Sequence, residues 1–98
     1  MNIQAMMKQA QALQKNMMKE KEEIDNSEFV GSSSFVTVTL TGNKKIKNVK
    51  IDTKELNEDD IEMLEDMITV AINNAMSEID KVTEEKMGKY TQGMPGLF

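Results

Sequence analysis

Val36, Val38 and Leu40 alternate with Thr37, Thr39 and Thr41, and this period of two constrains the chain more than any other feature. β-branched residues with one apolar and one hydroxyl face suit a pleated strand covered on one side only. The strand belongs to a segment, Phe35 to Ile51, that doubles back on itself. Gly42-Asn43 breaks the alternation and fits a two-residue hairpin turn with positive φ at the glycine. Beyond it Val49 and Ile51 share one parity and Ile46 has the other, which predicts a bulge or wide loop between Lys44 and Lys47. A lone hairpin is marginal in water. Its cover must come from the flanks.

Both flanks read as long helices. From residue 2 to about 25, Ile3, Met6, Ala10, Leu13 and Met17 are spaced 3, 4, 3 and 4, and Ile24 rejoins the register after a polar Glu20. That is a heptad seam. At about 100° per residue, Lys8, Lys15 and Lys19 fall within about 40° of one another and opposite the seam. Such a face is either plain solvated surface or a stripe aimed at a polyanion. Met7 and Met18 widen the apolar side and predict contact with more than one surface. Asp25-Asn26-Ser27 supplies turn chemistry that ends the helix. Glu28 to Val30 then reads as a short strand before a Gly31-Ser32-Ser33-Ser34 loop, making the sheet three-stranded if it pairs with the hairpin.

The second helix starts with Asn57 as N-cap and Asp60 at N3, and Glu58, Asp59, Asp60 and Glu62 complement its positive end. From Ile61 its apolar residues trace two stripes. Ile61, Leu64, Ile68, Ile72, Ala75, Ile79 and Val82 form one, and Met63, Met67 and Val70 form another, nearly opposite. A helix on the outside of a monomer needs only one. Two stripes predict a homodimer, with the chain's own sheet on the first and a second copy on Met63, Met67 and Val70. The last residues, from about Gly88 to Phe98, hold three of the five glycines and the only proline. They read as a flexible tail leaving the helix.

With 98 residues the whole chain, 1–98, is one small α+β domain. There is no cysteine and no histidine, which excludes disulfides, thiol chemistry, imidazole bases and nearly all zinc sites. Ten Met against three Phe, one Tyr and no Trp predict an aliphatic, Met-rich core. No signal peptide and no apolar run of about 20 residues is present, so a soluble cytoplasmic protein without membrane contact is expected. The carboxylates of residues 55–66 stand where a helix start wants them, and Asp25-Asn26-Ser27 lacks the glycine of a calcium loop, with Val30 in its place. No catalytic constellation, metal site or cofactor is expected.

The net charge of −5 is unevenly distributed. Residues 1–19 hold Lys8, Lys15 and Lys19 and no acid, residues 28–54 hold five Lys against Glu28 and Asp52, and residues 55–80 hold nine acids and no Lys. That polarity permits a polyanion at one end despite the acidic total. All twelve basic residues are Lys. Lysine meets phosphate as a point charge, whereas reading guanine favours arginine, so any DNA contact should be to the backbone, weak and mostly non-specific.

Four stretches in order, MMKQAQALQKNMMKEKEEI, VTLTGNKKIKNVKID, EDDIEMLEDMITVAINNAM and the terminal GMPGLF, resemble the YbaB/EbfC family of bacterial nucleoid-associated proteins. The resemblance runs nearly end to end. It implies an α+β protomer with a long helix at each end of a small antiparallel sheet, and a tweezers-like homodimer at the nucleoid whose projecting helices straddle duplex DNA. Carried onto this chain, the phosphate-facing residues would be Lys8, Lys15 and Lys19 of the first helix and Lys81, Lys86 and Lys89 of the second. Nucleoid organisation or gene expression would be the process affected. The alternative is a dimeric helical module that docks another protein and binds no DNA physiologically.

Overall fold

The computed structural model describes residues 2–91. In chain order these form α1 (Ile3–Asn26), β1 (Glu28–Ser33), β2 (Val36–Thr41), β3 (Ile46–Ile51), a 3-10 turn (Glu58–Asp60) and α2 (Ile61–Thr91). The strands make one antiparallel sheet in the order β1-β2-β3. The expected α+β arrangement is the observed one. No helix among the described residues is long and apolar enough to cross a membrane.

The alternation in β2 becomes a clean division of faces. Val36, Val38 and Leu40 are fully buried, while Thr37, Thr39 and Thr41 are only half-buried. Ala71, Ala75 and Ile79 of α2 close over the apolar face, with Phe29, Phe35, Leu64, Met67, Ile68, Ile72 and Met76 packed around them. Burying each large aliphatic side chain contributes about 1.5–3 kcal/mol, so this two-layer contact is what holds the hairpin. Val82 of the expected first stripe is half-buried, but Ile61 at its start remains outside.

The turns differ from the sequence reading. Gly31 to Ser33 is strand, not loop, and β1 and β2 are joined by the two-residue turn Ser34-Phe35, with Ser34 at φ 52°. Gly31 belongs in the strand because α2 crosses directly over it. A Cβ there would stand 2.1 Å from the Ala71 carbonyl oxygen. The second connection runs from Gly42 to Lys45, and its positive φ, 65°, falls on Lys44 rather than on Gly42. Gly42 answers to a different constraint, since its Cβ would lie 1.8 Å from the Ile24 carbonyl oxygen of α1. The expected bulge is present. Thr39 pairs with Asn48 and Leu40 with Ile46, so Lys47 is the extra residue, and Ile46 returns to the face of Val49 and Ile51.

The capping reading of the second helix holds through the 3-10 turn. The Asn57 N–H donates to Asp60 Oδ2 at 3.1 Å and the Asp60 N–H to the Asn57 carbonyl at 3.0 Å. At the other end α2 does not stop at Gly88 but continues to Thr91, because Met87 and Tyr90 are buried against Ile24, with Met17 and Phe29 alongside. The rest of the tail, residues 92–98, lies outside the described residues. α1 and the end of α2 thus form an antiparallel arm, with Glu20 beside Lys89 and Ile24 against Met87 and Tyr90. The molecule measures 72 × 20 × 14 Å.

Candidate nucleic-acid interface

α1 is laid down by its seam but only partly held by it. Ile24 is buried and Met17 half-buried, whereas Ile3 and Leu13 are 69% and 46% exposed. The outer part of the helix therefore extends past the body with both faces left exposed by the other described residues. Asn2 caps its start by accepting the Ala5 N–H at 3.3 Å, and no acid occupies the first turn. The positive end of the helix dipole is left without a counter-charge there.

Lys8, Lys15 and Lys19 are exposed on the side of α1 away from the seam, and none has an ion-pair partner among the described residues. Two helical turns separate Lys8 from Lys15, about 10 Å along the axis. The structure brings these three together as one stripe, with Glu22 and Glu23 beside Lys19 at its inner end.

The lysines of α2 are arranged differently. Lys81 and Lys86 are exposed and form no ion pair among the described residues, but at about 100° per residue they stand about 140° apart. They do not share a face. Lys89 Nζ donates to Glu20 Oε1 at 3.1 Å and lies 5.1 Å from the centroid of the Tyr90 ring. The Glu20 carboxylate raises the Lys89 pKa above the usual lysine value. Its charge is already engaged.

Other cations follow the sheet. Lys44 pairs with Asp80 at 3.0 Å, Lys47 with Glu28, and Lys21 with Asp25 at 3.2 Å. Lys50 belongs to the outer face of the sheet, where it stands opposite Thr37, with Thr39 and Asn48 adjacent. This polar face, uncovered by either helix, was not singled out from sequence. The threonine parity of β2 together with Lys50 on its partner strand was the available signal.

The acids are elsewhere. Glu58, Asp59, Asp60 and Glu62 cluster at the start of α2, and Lys89 follows Glu62 by 27 helical residues, about 40 Å along the axis. Because α1 runs antiparallel to the end of α2, Lys15 and Lys8 lie farther still from the acids. The long axis thus carries charge of opposite sign at its two ends.

Apolar surface remains on the body. Ile46, Val49 and Ile51 face the same side as the core, yet α2 packs on β1 and β2 without covering β3, leaving them 51%, 40% and 38% exposed. Met63 and Val70 of the second α2 stripe are likewise exposed. Met67 is half-buried and packs partly against its own sheet.

Comparison with known proteins finds relatives over nearly the whole chain. A family model described as the YbaB/EbfC DNA-binding family matches residues 1–94. A protein of Lactococcus lactis subsp. cremoris named as nucleoid-associated is 50% identical, over 97% of this chain and 98% of its own length. Proteins with the same description from Ligilactobacillus salivarius and Enterococcus faecalis are 46% and 42% identical, over 99% and 98% of this chain and 95% and 94% of theirs.

Proposed function

The chain belongs to the YbaB/EbfC DNA-binding family, which is not an enzyme family, and from that premise we propose that it works at the nucleoid as a homodimer that grips duplex DNA by phosphate contacts. The observation that carries this reading is the stripe Lys8, Lys15 and Lys19, exposed, without ion-pair partners among the described residues and remote from the acidic start of α2. Lys86, on the arm's other helix, adds a fourth candidate. Point charges on a protruding helix neutralise phosphates without reading bases, so affinity is micromolar in order and sequence discrimination small.

Dimerisation is supported by the uncovered apolar surface. Ile46, Val49 and Ile51 on β3, with Met63 and Val70 on α2, are more apolar surface than one small protomer has any use for. Met67 joins that surface by its exposed part. Two arms then present two lysine stripes. If about half of the available lysines touch DNA at once, the slope of log affinity against log salt is roughly −4.

Fluorescence anisotropy with a labelled mixed-sequence duplex at a series of salt concentrations tests the reading. A negative slope with little dependence on sequence is expected. Absence of binding at low salt would favour a second reading, a helical docking module, to which the exposed α1 residues Ile3, Met6 and Leu13 lend themselves.

A further inference from the structure

Glu20 is the one charged residue in the heptad seam of α1, placed between Met17 and Ile24. The position is costly for a carboxylate, and the structure shows what occupies it. Oε1 accepts from Lys89 Nζ at 3.1 Å, while Oε2 is buried and has no hydrogen-bond partner among the described residues. The same ammonium lies 5.1 Å from the centroid of Tyr90, which is itself buried against Ile24. Lys89 is therefore tied to both the opposite helix and the neighbouring ring.

We propose that Glu20 sets the strength of DNA binding by sequestering Lys89, removing it from the phosphate-contacting set that the family resemblance would assign it to. The proposal rests on the DNA-binding reading above. For Lys89 to reach a phosphate, it must leave a carboxylate that already has one buried oxygen unpaired, so that neither oxygen retains a donor from the arm. The pair is unevenly sheltered, the Lys89 side chain being 60% exposed and that of Glu20 30%, so the cost of separating it falls on the carboxylate. The pair's consequence is where the charge is held. The same carboxylate is what raises the Lys89 pKa above the usual lysine value.

The test is a set of four salt titrations on one labelled duplex: the parent, Lys89→Gln, Glu20→Gln and the double variant, each checked by circular dichroism for an unchanged helix signal. Lys89→Gln should keep the parental slope, because the charge it removes was not neutralising phosphate. Glu20→Gln should steepen the slope by about 0.9 for each Lys89 that then meets a phosphate. The double variant should return to the parental slope. A Lys89→Gln slope flattened by about 0.9 per lost contact, with Glu20→Gln left like the parent, overturns the proposal. If Glu20→Gln loses helicity, the Lys89→Gln titration decides alone: a parental slope supports sequestration and a flattened slope overturns it. A parent that binds no duplex at low salt instead overturns the DNA-binding reading, and the role of Glu20 with it.

Discussion

At Gly42 and Gly88 the identity of the residue is easy to see and its reason is not. Gly42 precedes Asn43 in a run that suits a tight turn, and positive φ is the natural explanation. The structure assigns the positive φ to Lys44 and gives Gly42 a steric duty instead, because α1 passes so close that a Cβ would stand 1.8 Å from the Ile24 carbonyl oxygen. That contact joins residues 18 apart in sequence, and local pattern carries no trace of it. Gly42→Ala is expected to cost about 1–3 kcal/mol, as overpacking does, measured by urea denaturation. Gly88 is the opposite case. It sits inside α2 with no atom of the described residues within 4 Å of the Cβ it lacks, and burial of Met87 and Tyr90 overrides its helix-breaking tendency. Gly88→Ala should raise stability by about 0.5–1 kcal/mol. A loss on that substitution would mean that the helix ends where its composition first suggests.

Among elements, β2 was the most legible and β3 the least. Strict alternation in β2 marks its buried face without ambiguity, and Val38→Ala should cost on the order of 2 kcal/mol of thermal stability. An unchanged melt would place Val38 outside the core. β3 shows apolar residues of mixed parity, which the bulge at Lys47 reconciles. Sequence indicated the irregularity but not that α2 would leave all three of those residues uncovered, because helix placement over a sheet is a tertiary outcome. α2 keeps most of its first stripe on the sheet, though Ile61 is exposed and Met67 of the second stripe also packs into the core, and its start is capped as read. Its extension past Gly88, and the tying of Lys89 to Glu20, depend on α1 lying alongside. The lysine stripe of α1 needed no such partner. Its three residues are set by helical period alone, and they emerge together, exposed and without ion pairs among the described residues.

The whole molecule is elongated, basic toward the tip of α1 and acidic at the start of α2, with an apolar surface on the body between them. That layout separates the proposed phosphate contacts from the proposed dimer surface, so each can be disturbed alone. Val70→Lys puts a charge on an exposed stripe residue rather than on Met67, which also packs into its own core. In sedimentation equilibrium at micromolar concentration the parent should approach twice 11.1 kDa and Val70→Lys should approach the single mass while keeping its fold. A folded parental monomer at that concentration contradicts the dimer. The central claim, that the α1 stripe meets phosphate, is tested most directly by the salt slope of the triple variant Lys8→Gln, Lys15→Gln, Lys19→Gln. With the seam untouched the variant should keep its helix signal and sedimentation mass, while the slope falls from roughly −4 to about −1. A variant that binds duplex DNA with the parental slope contradicts the account.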